Sequence, residues 1–316
     1  GNVKAQAKVD YIASLLLISG SVKSPQYSGS VREIINPIQL RYRPFDSAAS
    51  NKHTKWESLV DGKHKSEETH APGSYRAIPY NDGLIVILSA AQEGKITEIE
   101  YKINHSGRFL GFNKINIEGA DILGSNNAEH KSIISAFKDA FVVATPVYDR
   151  RYSTGDKLYD YKYNMDMFGI KISLAVKGFV MGITKRHGRD SILVQFKGTL
   201  SSKGTLSSEG RDGEIKGYSV IDLATGFETQ NEIVMTMEPK IYDVVTGGHQ
   251  MGDGKVVQIK GYETLNVDMS SASGEFNKAG TASVEQRLRK LKKLLDTGII
   301  TDEEAKAKRA EILDSL

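Results

Sequence analysis

The feature that most constrains this chain is a series of short segments in which apolar and polar residues alternate, punctuated by turn signals. "GLIVILSAA" (83–91), "KITEIEYKIN" (95–104) and "RFLGFNKINIEG" (108–119) follow one another, with "NHSG" (104–107) as a tight turn between the last two. The habit returns with "DKLYDYKYNMDMFGIKISLAV" (156–176), which reads as one long strand, then "GFVMGIT" (178–184), "SILVQFKGTL" (191–200), "GEIKGYSVIDL" (213–223), "FETQNEIVMTME" (227–238) and "KVVQIKGYETLNVDM" (255–269). Its separators are His187-Gly188, 202–212, Ala224-Thr225-Gly226 and 247–254. Alternation puts every second side chain on one face of a sheet, and strands in series joined by short turns pair antiparallel. The chain is therefore predicted to be mainly β, of α+β type, built as antiparallel meander or half-barrel halves. One helix interrupts the series. "AEHKSIISAFKDAFVV" sets Ile133, Ile134, Phe137 and Phe141 on one face, and Pro146 stops it. That face is predicted to pack on the sheet.

This pattern divides the chain into a first β half over 1–145, ending in the helix at 128–143, and a second β half over 146–269. An internal echo supports the division. "GKITEIEYKINHSG" (94–107) and "GEIKGYSVIDLATG" (213–226) match in length, with Ile96 answering Ile215 and a Ser/Thr-Gly turn closing each. Residues 31–45 read as strand with an edge or bulge at Pro37. The polar stretch 46–74, "DSAASNKHTKWESLVDGKHKSEETHAPGS", lacks sustained apolar periodicity and reads as a long loop or flap around the only tryptophan, Trp56. "SSASGEFNKAGT" (270–281) opens a flexible linker, 270–282.

The chain contains no cysteine, which excludes disulfides, thiolate nucleophiles and Cys-ligated zinc. A net charge of +3 over 316 residues is too small and too dispersed for a nucleic-acid binder. The most apolar early run, "YIASLLLISG" (11–20), is too short to span a membrane and reads as a buried strand or helix. Without cysteine, and with Gly1 rather than Met at its start, the chain is expected to be extracytoplasmic, in periplasm or cell envelope. A signal or lipid anchor is expected upstream of Gly1.

Chemistry-bearing patterns are sparse. The densest histidine region is "HKSEETH", with His64, Glu67, Glu68 and His70; its spacing fits no zinc motif, so it reads as a solvated segment with no metal. "YDRRYSTGDKLYDY" (148–161) groups Asp149 and Asp156 with Arg150 and Arg151, where a carboxylate pair could do acid–base work. Phosphate-binding and nucleophile-elbow motifs are absent, and the Gly-rich "GGHQMGDGK" (247–255) reads as a hairpin loop. No catalytic or cofactor-binding residues are assigned. A hydrolase using Asp149 and Asp156, or His64 and His70, is the enzymatic alternative.

The end of the chain has a different grammar. Ser283-x-x-Gln286 and Thr301-x-x-Glu304 are capping boxes, and Gly298 is placed to end the first helix. Leu288, Leu291, Leu294 and Leu295 form the apolar side of that helix, Ile299 and Ile300 the turn, and Ile312 and Leu313 the second helix. Leu291, Leu294, Leu295, "DTGIITDEE" (296–304), Lys308, Ile312 and Leu313 resemble the SHOCT family of short C-terminal helical domains. The resemblance covers 284–316, with Ala305 where that family usually has an aromatic residue. It implies an accessory module for oligomerisation or docking and no catalytic residues. A hairpin of this size has too small a core to stand alone and needs another surface. "YSTGDKL" (152–158) and "YSVIDLATGF" (218–227) resemble segments of bacterial envelope half-barrel proteins such as lipoprotein carriers. Together these imply a non-enzymatic binding or scaffold protein. Its β body would hold an apolar ligand or partner segment, and the hairpin would serve self-association or docking to another envelope protein. A purely structural envelope component is the other alternative.

Overall fold

The structure is a computed structural model that describes residues 24–60, 63–92, 94–167, 170–203, 213–237, 256–270, 272, 288, 291–292, 295–296 and 301–314. The chain forms two units, Gly1–Ser271 and Ala272–Leu316. The first unit contains β1 (Ile38–Gln39), β2 (Phe45–Val60), β3 (Lys63–Tyr80), β4 (Gly83–Gln92), β5 (Lys95–Asn104), β6 (Phe109–Ile117) and β7 (Ala120–Asp121). Helix α1 (Ala128–Ala144) follows, then β8 (Arg151–Tyr152), β9 (Lys157–Met167), β10 (Ile170–Arg186), β11 (Arg189–Lys203), β12 (Gly213–Asp222), β13 (Glu228–Met237) and β14 (Val256–Asp268). The second unit holds α2 (Asp302–Asp314).

Twelve strands form one antiparallel sheet in the order β7-β6-β5-β4-β3-β2-β14-β13-β12-β11-β10-β9. It is two six-stranded meanders, β2–β7 and β9–β14, joined where β2 pairs with β14. The fold is thus mainly β and antiparallel, with one helix between the two series. Among the described residues, β7 and β9 end the sheet, and it does not close into a barrel. Helix α1 connects these two ends in the chain and touches strands near both. Its Phe141 ring stacks on Tyr101 of β5 at 4.5 Å and meets Phe112 of β6 edge-on at 6.1 Å. Its Asp139 accepts a hydrogen bond from Tyr163 of β9 at 3.0 Å. The helix begins as its sequence requires, with the Asn127 side chain accepting from the Glu129 amide.

The echo between 94–107 and 213–226 falls on the fourth strand of each meander. β5 ends at Asn104, whose Oδ1 accepts from the Ser106 and Arg108 amides; β12 ends at Asp222, whose Oδ2 accepts from the Thr225 amide. Each turn then passes through a left-handed glycine, Gly107 (φ 97) and Gly226 (φ 77). One segment clasps both turns: the Tyr42 amide donates to His105 O at 2.9 Å and the Arg43 amide to Thr225 O at 2.8 Å. A Cβ at Gly226 would lie 2.4 Å from Arg41 O, so the close approach requires glycine. The short strands β1 and β8, each preceding a meander, pair with one another.

On the inner face, Phe45, Ala77, Val86 and Tyr101 stand in register across β2–β5, all at most 3% exposed. Val180, Val194 and Ser219 do the same across β10–β12, all 0% exposed. The outer face of β11–β12 is covered by the segment before β1. Tyr27 packs against Leu193, Tyr218 and Val220, and its hydroxyl meets Thr184 Oγ1 at 2.9 Å. This burial on both faces explains why β12 reads as an almost continuous apolar run near its end.

The polar stretch 46–74 is not a loop. It forms β2 and most of β3, paired residue for residue from Ala48 with Tyr75 to Val60 with Lys63, and β2 pairs along its length with β14. Backbone pairing on both sides of β2 supplies what apolar periodicity does not. Trp56 lies opposite Gly261 and Glu67 in this register. The run 11–20, the loop 247–255 and most of the linker 270–282 lie outside the described residues.

Candidate functional site

The inner face at the end of the sheet nearest Tyr42 is packed with aromatic rings. Tyr42 stacks on Tyr148 at 4.7 Å and meets Phe227 edge-on at 4.8 Å; Phe227 also meets Phe45 at 5.2 Å and Tyr75 at 5.4 Å. Hydroxyls are tied to backbone, Tyr42 to Pro146 O at 2.9 Å and Tyr148 to Gly226 O at 2.6 Å. Burial raises the proton affinity of Tyr42, Tyr75 and Tyr159, so these phenols stay neutral and act as packing groups with one polar end.

Polar side chains also lie on this face. Asn231 Nδ2 donates to Glu228 Oε1 at 2.8 Å, and the Ser219 and Tyr159 hydroxyls lie 3.3 Å apart. Lys52 stands 3.1 Å from the carboxylate of Glu263, which is 8% exposed. Burial pushes the Glu228 carboxyl up to about 7, against the hydrogen bonds from Ser219 and Asn231; Glu263 adds to the rise and Lys52 opposes it. These residues come from β2, β9, β12, β13 and β14, and only the register of the sheet brings them together.

The surface offers an open groove between β6 and α1. Phe109, Leu110, Phe112 and Ile134 line it, with Lys131 and Lys138 contributed by the helix. Leu110 is 56% exposed. β7 covers the edge of β6 only at Asn116 and Ile117, so among the described residues Phe109–Lys114 has no strand partner on that side. The groove thus combines an apolar floor, two cations and a free strand edge. Sequence reasoning missed it, because an exposed Leu in an alternating strand carries no signal of the groove beside it.

Asp149 and Asp156, the candidate acid–base pair, each make a local hydrogen bond. Asp149 accepts from the Tyr152 hydroxyl at 3.3 Å, while Asp156 caps its own turn by accepting from the Ser153 amide at 2.8 Å. His64 lies on β3 opposite Leu59. His70 lies opposite His53 of β2, a residue outside the "HKSEETH" cluster, and their rings stack at 4.3 Å. Glu68 meets His53 Nε2 and stands 3.9 Å from His70 Nε2. The register of the hairpin, invisible in linear spacing, makes this grouping.

In the second unit, Leu288, Leu291 and Leu295 are half-buried helical residues, and Ala305 of α2 is 8% exposed. Ile312 and Leu313 lie on α2; Leu294, Ile299 and Ile300 lie outside the described residues. The Ala305 amide bonds Thr301 O at 2.9 Å, closing the first turn of α2. Searched against protein-family models and against curated proteins, the chain matches none.

Proposed function

We propose that this chain is a non-enzymatic extracytoplasmic binding or scaffold protein whose β body takes an extended apolar segment of a partner. The C-terminal hairpin would mediate self-association or docking. The observation that carries the reading is the groove at β6 and α1, where an apolar floor adjoins an unpartnered strand edge. A segment laid along such an edge gains main-chain hydrogen bonds, while alternate side chains enter the apolar floor. Lys131 and Lys138 favour a segment flanked by acidic residues. The aromatic packing of the inner face supports a partner on this edge over a small apolar ligand deep within the sheet.

The test uses an apolar anion, 1-anilinonaphthalene-8-sulfonate, as the probe. Its fluorescence in the presence of the chain should rise, and Leu110→Asp should abolish most of the rise with an unchanged circular dichroism spectrum. Equal fluorescence with the two proteins would overturn the assignment of the groove.

A further inference from the structure

The hairpin of β2 and β3 carries a second grouping, on the face opposite Lys52 and Thr54. His53 and His70 occupy directly paired positions, and Glu68, two residues before His70, shares their face. The two rings are parallel to within 9° at 4.3 Å. One nitrogen from each histidine and one Glu68 oxygen all lie within 4.8 Å of one another. We propose that His53, Glu68 and His70 form a binding site for a divalent first-row transition-metal ion of the zinc type.

The donor chemistry sets the class. Two imidazole nitrogens with one carboxylate oxygen suit zinc, nickel or copper, whereas magnesium and calcium take oxygen ligands. Donors about 2.1 Å from a tetrahedral zinc stand about 3.4 Å from each other. The His70–Glu68 separation of 3.9 Å is close to that value, while the direct contact of His53 Nε2 with Glu68 opens to admit the ion. The backbone beneath is fixed on both sides, since His53 pairs with Thr264 of β14 as well as with His70. Lys55, the residue opposite Glu68, directs its ammonium to Glu57 at 2.8 Å. The side chains are 31%, 51% and 61% exposed for His53, Glu68 and His70, so an ion enters from solution and keeps at least one coordination position for water or a partner's ligand. This inference is independent of the groove at β6 and α1.

Zinc chloride titrated into the full chain, followed by calorimetry, tests it. One equivalent should bind per chain. The equivalent should vanish in the double variant His53→Gln/His70→Gln and weaken at least about tenfold in Glu68→Gln. Far-UV circular dichroism checks that each variant folds, and Glu68→Gln alone decides the matter if the double variant does not. Cupric ion gives a second readout, because its electron paramagnetic resonance spectrum should report two nitrogen donors that the double variant lacks. Absence of binding by the unaltered chain, or unchanged stoichiometry and affinity in folded variants, would overturn the site.

Discussion

Replacing Glu228 by Gln should stabilise the β body at alkaline pH and do much less at acidic pH. The folded carboxyl holds its proton up to about 7, whereas the ordinary value is 4.5. Between those values the folded state binds more protons than the unfolded state, so stability falls as pH rises through that window. At about 1.36 kcal/mol for each tenfold change in proton affinity, the gap corresponds to about 3 kcal/mol. Because Glu228 is only half-buried, solvent screening reduces the expected effect to about 2 kcal/mol at pH 8. Gln retains the oxygen that accepts from Asn231 Nδ2, so the variant removes the charge and keeps that bond. Urea unfolding of both proteins at pH 5 and pH 8 measures the difference. The midpoint of Glu228→Gln should exceed that of the parent at pH 8, and the gap should shrink by most of its size at pH 5. A variant destabilised equally at both pH values would refute the argument, since the substitution would then have broken a hydrogen bond without relieving any charge penalty.

Two further outcomes test the turn and the tail. Asp222, 1% exposed, takes Arg189 bidentately at 2.8 and 2.9 Å and also accepts from Thr225 N and Oγ1. Asp222→Ala should therefore cost about 3 kcal/mol in denaturant unfolding, and a loss below about 1 kcal/mol would show that the turn holds without it. For the hairpin, light scattering should give a mass above the monomer for the full chain and a monomer for a chain ending at Ser273. Equal monomer masses at micromolar concentration would remove the self-association reading.

The strands at 83–119 and 191–269 were legible because one face of each is apolar, and alternation records that face directly; 156–176, which reads as one long strand, is instead the hairpin of β9 and β10, with β10 running on through 178–184. The helix was legible for the same reason at its own period, predicted at 128–143 and observed over Ala128–Ala144. The hairpin of β2 and β3 was not. Its residues are polar on both faces over much of its length, and the pairing that makes it a strand is supplied by β14, about two hundred positions away. The candidate sites follow the same division. Asp149 and Asp156 are neighbours in sequence yet serve separate local hydrogen bonds. His53 and His70 are distant in sequence and stack because residue 53 pairs with residue 70. A shift of one position in that register would send either histidine to the opposite face.

The sequence by itself determined the local grammar: antiparallel strands from alternation, turns from Asn, Asp and Gly, one amphipathic helix, and an echo of one strand and turn in each half. These depend on the chemistry of residues within a few positions, which linear order preserves. Only the tertiary structure decided that the two halves join through β2 and β14 into one open sheet, and that α1 touches strands near both ends of it. It alone decided that, among the described residues, the β6 edge has no strand partner at Phe109–Lys114 beside an apolar groove, and that two histidines share a carboxylate. The physical reason is that strand register and sheet order are long-range choices. They are made by backbone hydrogen bonds and the total burial of both faces, and no short stretch of sequence contains either.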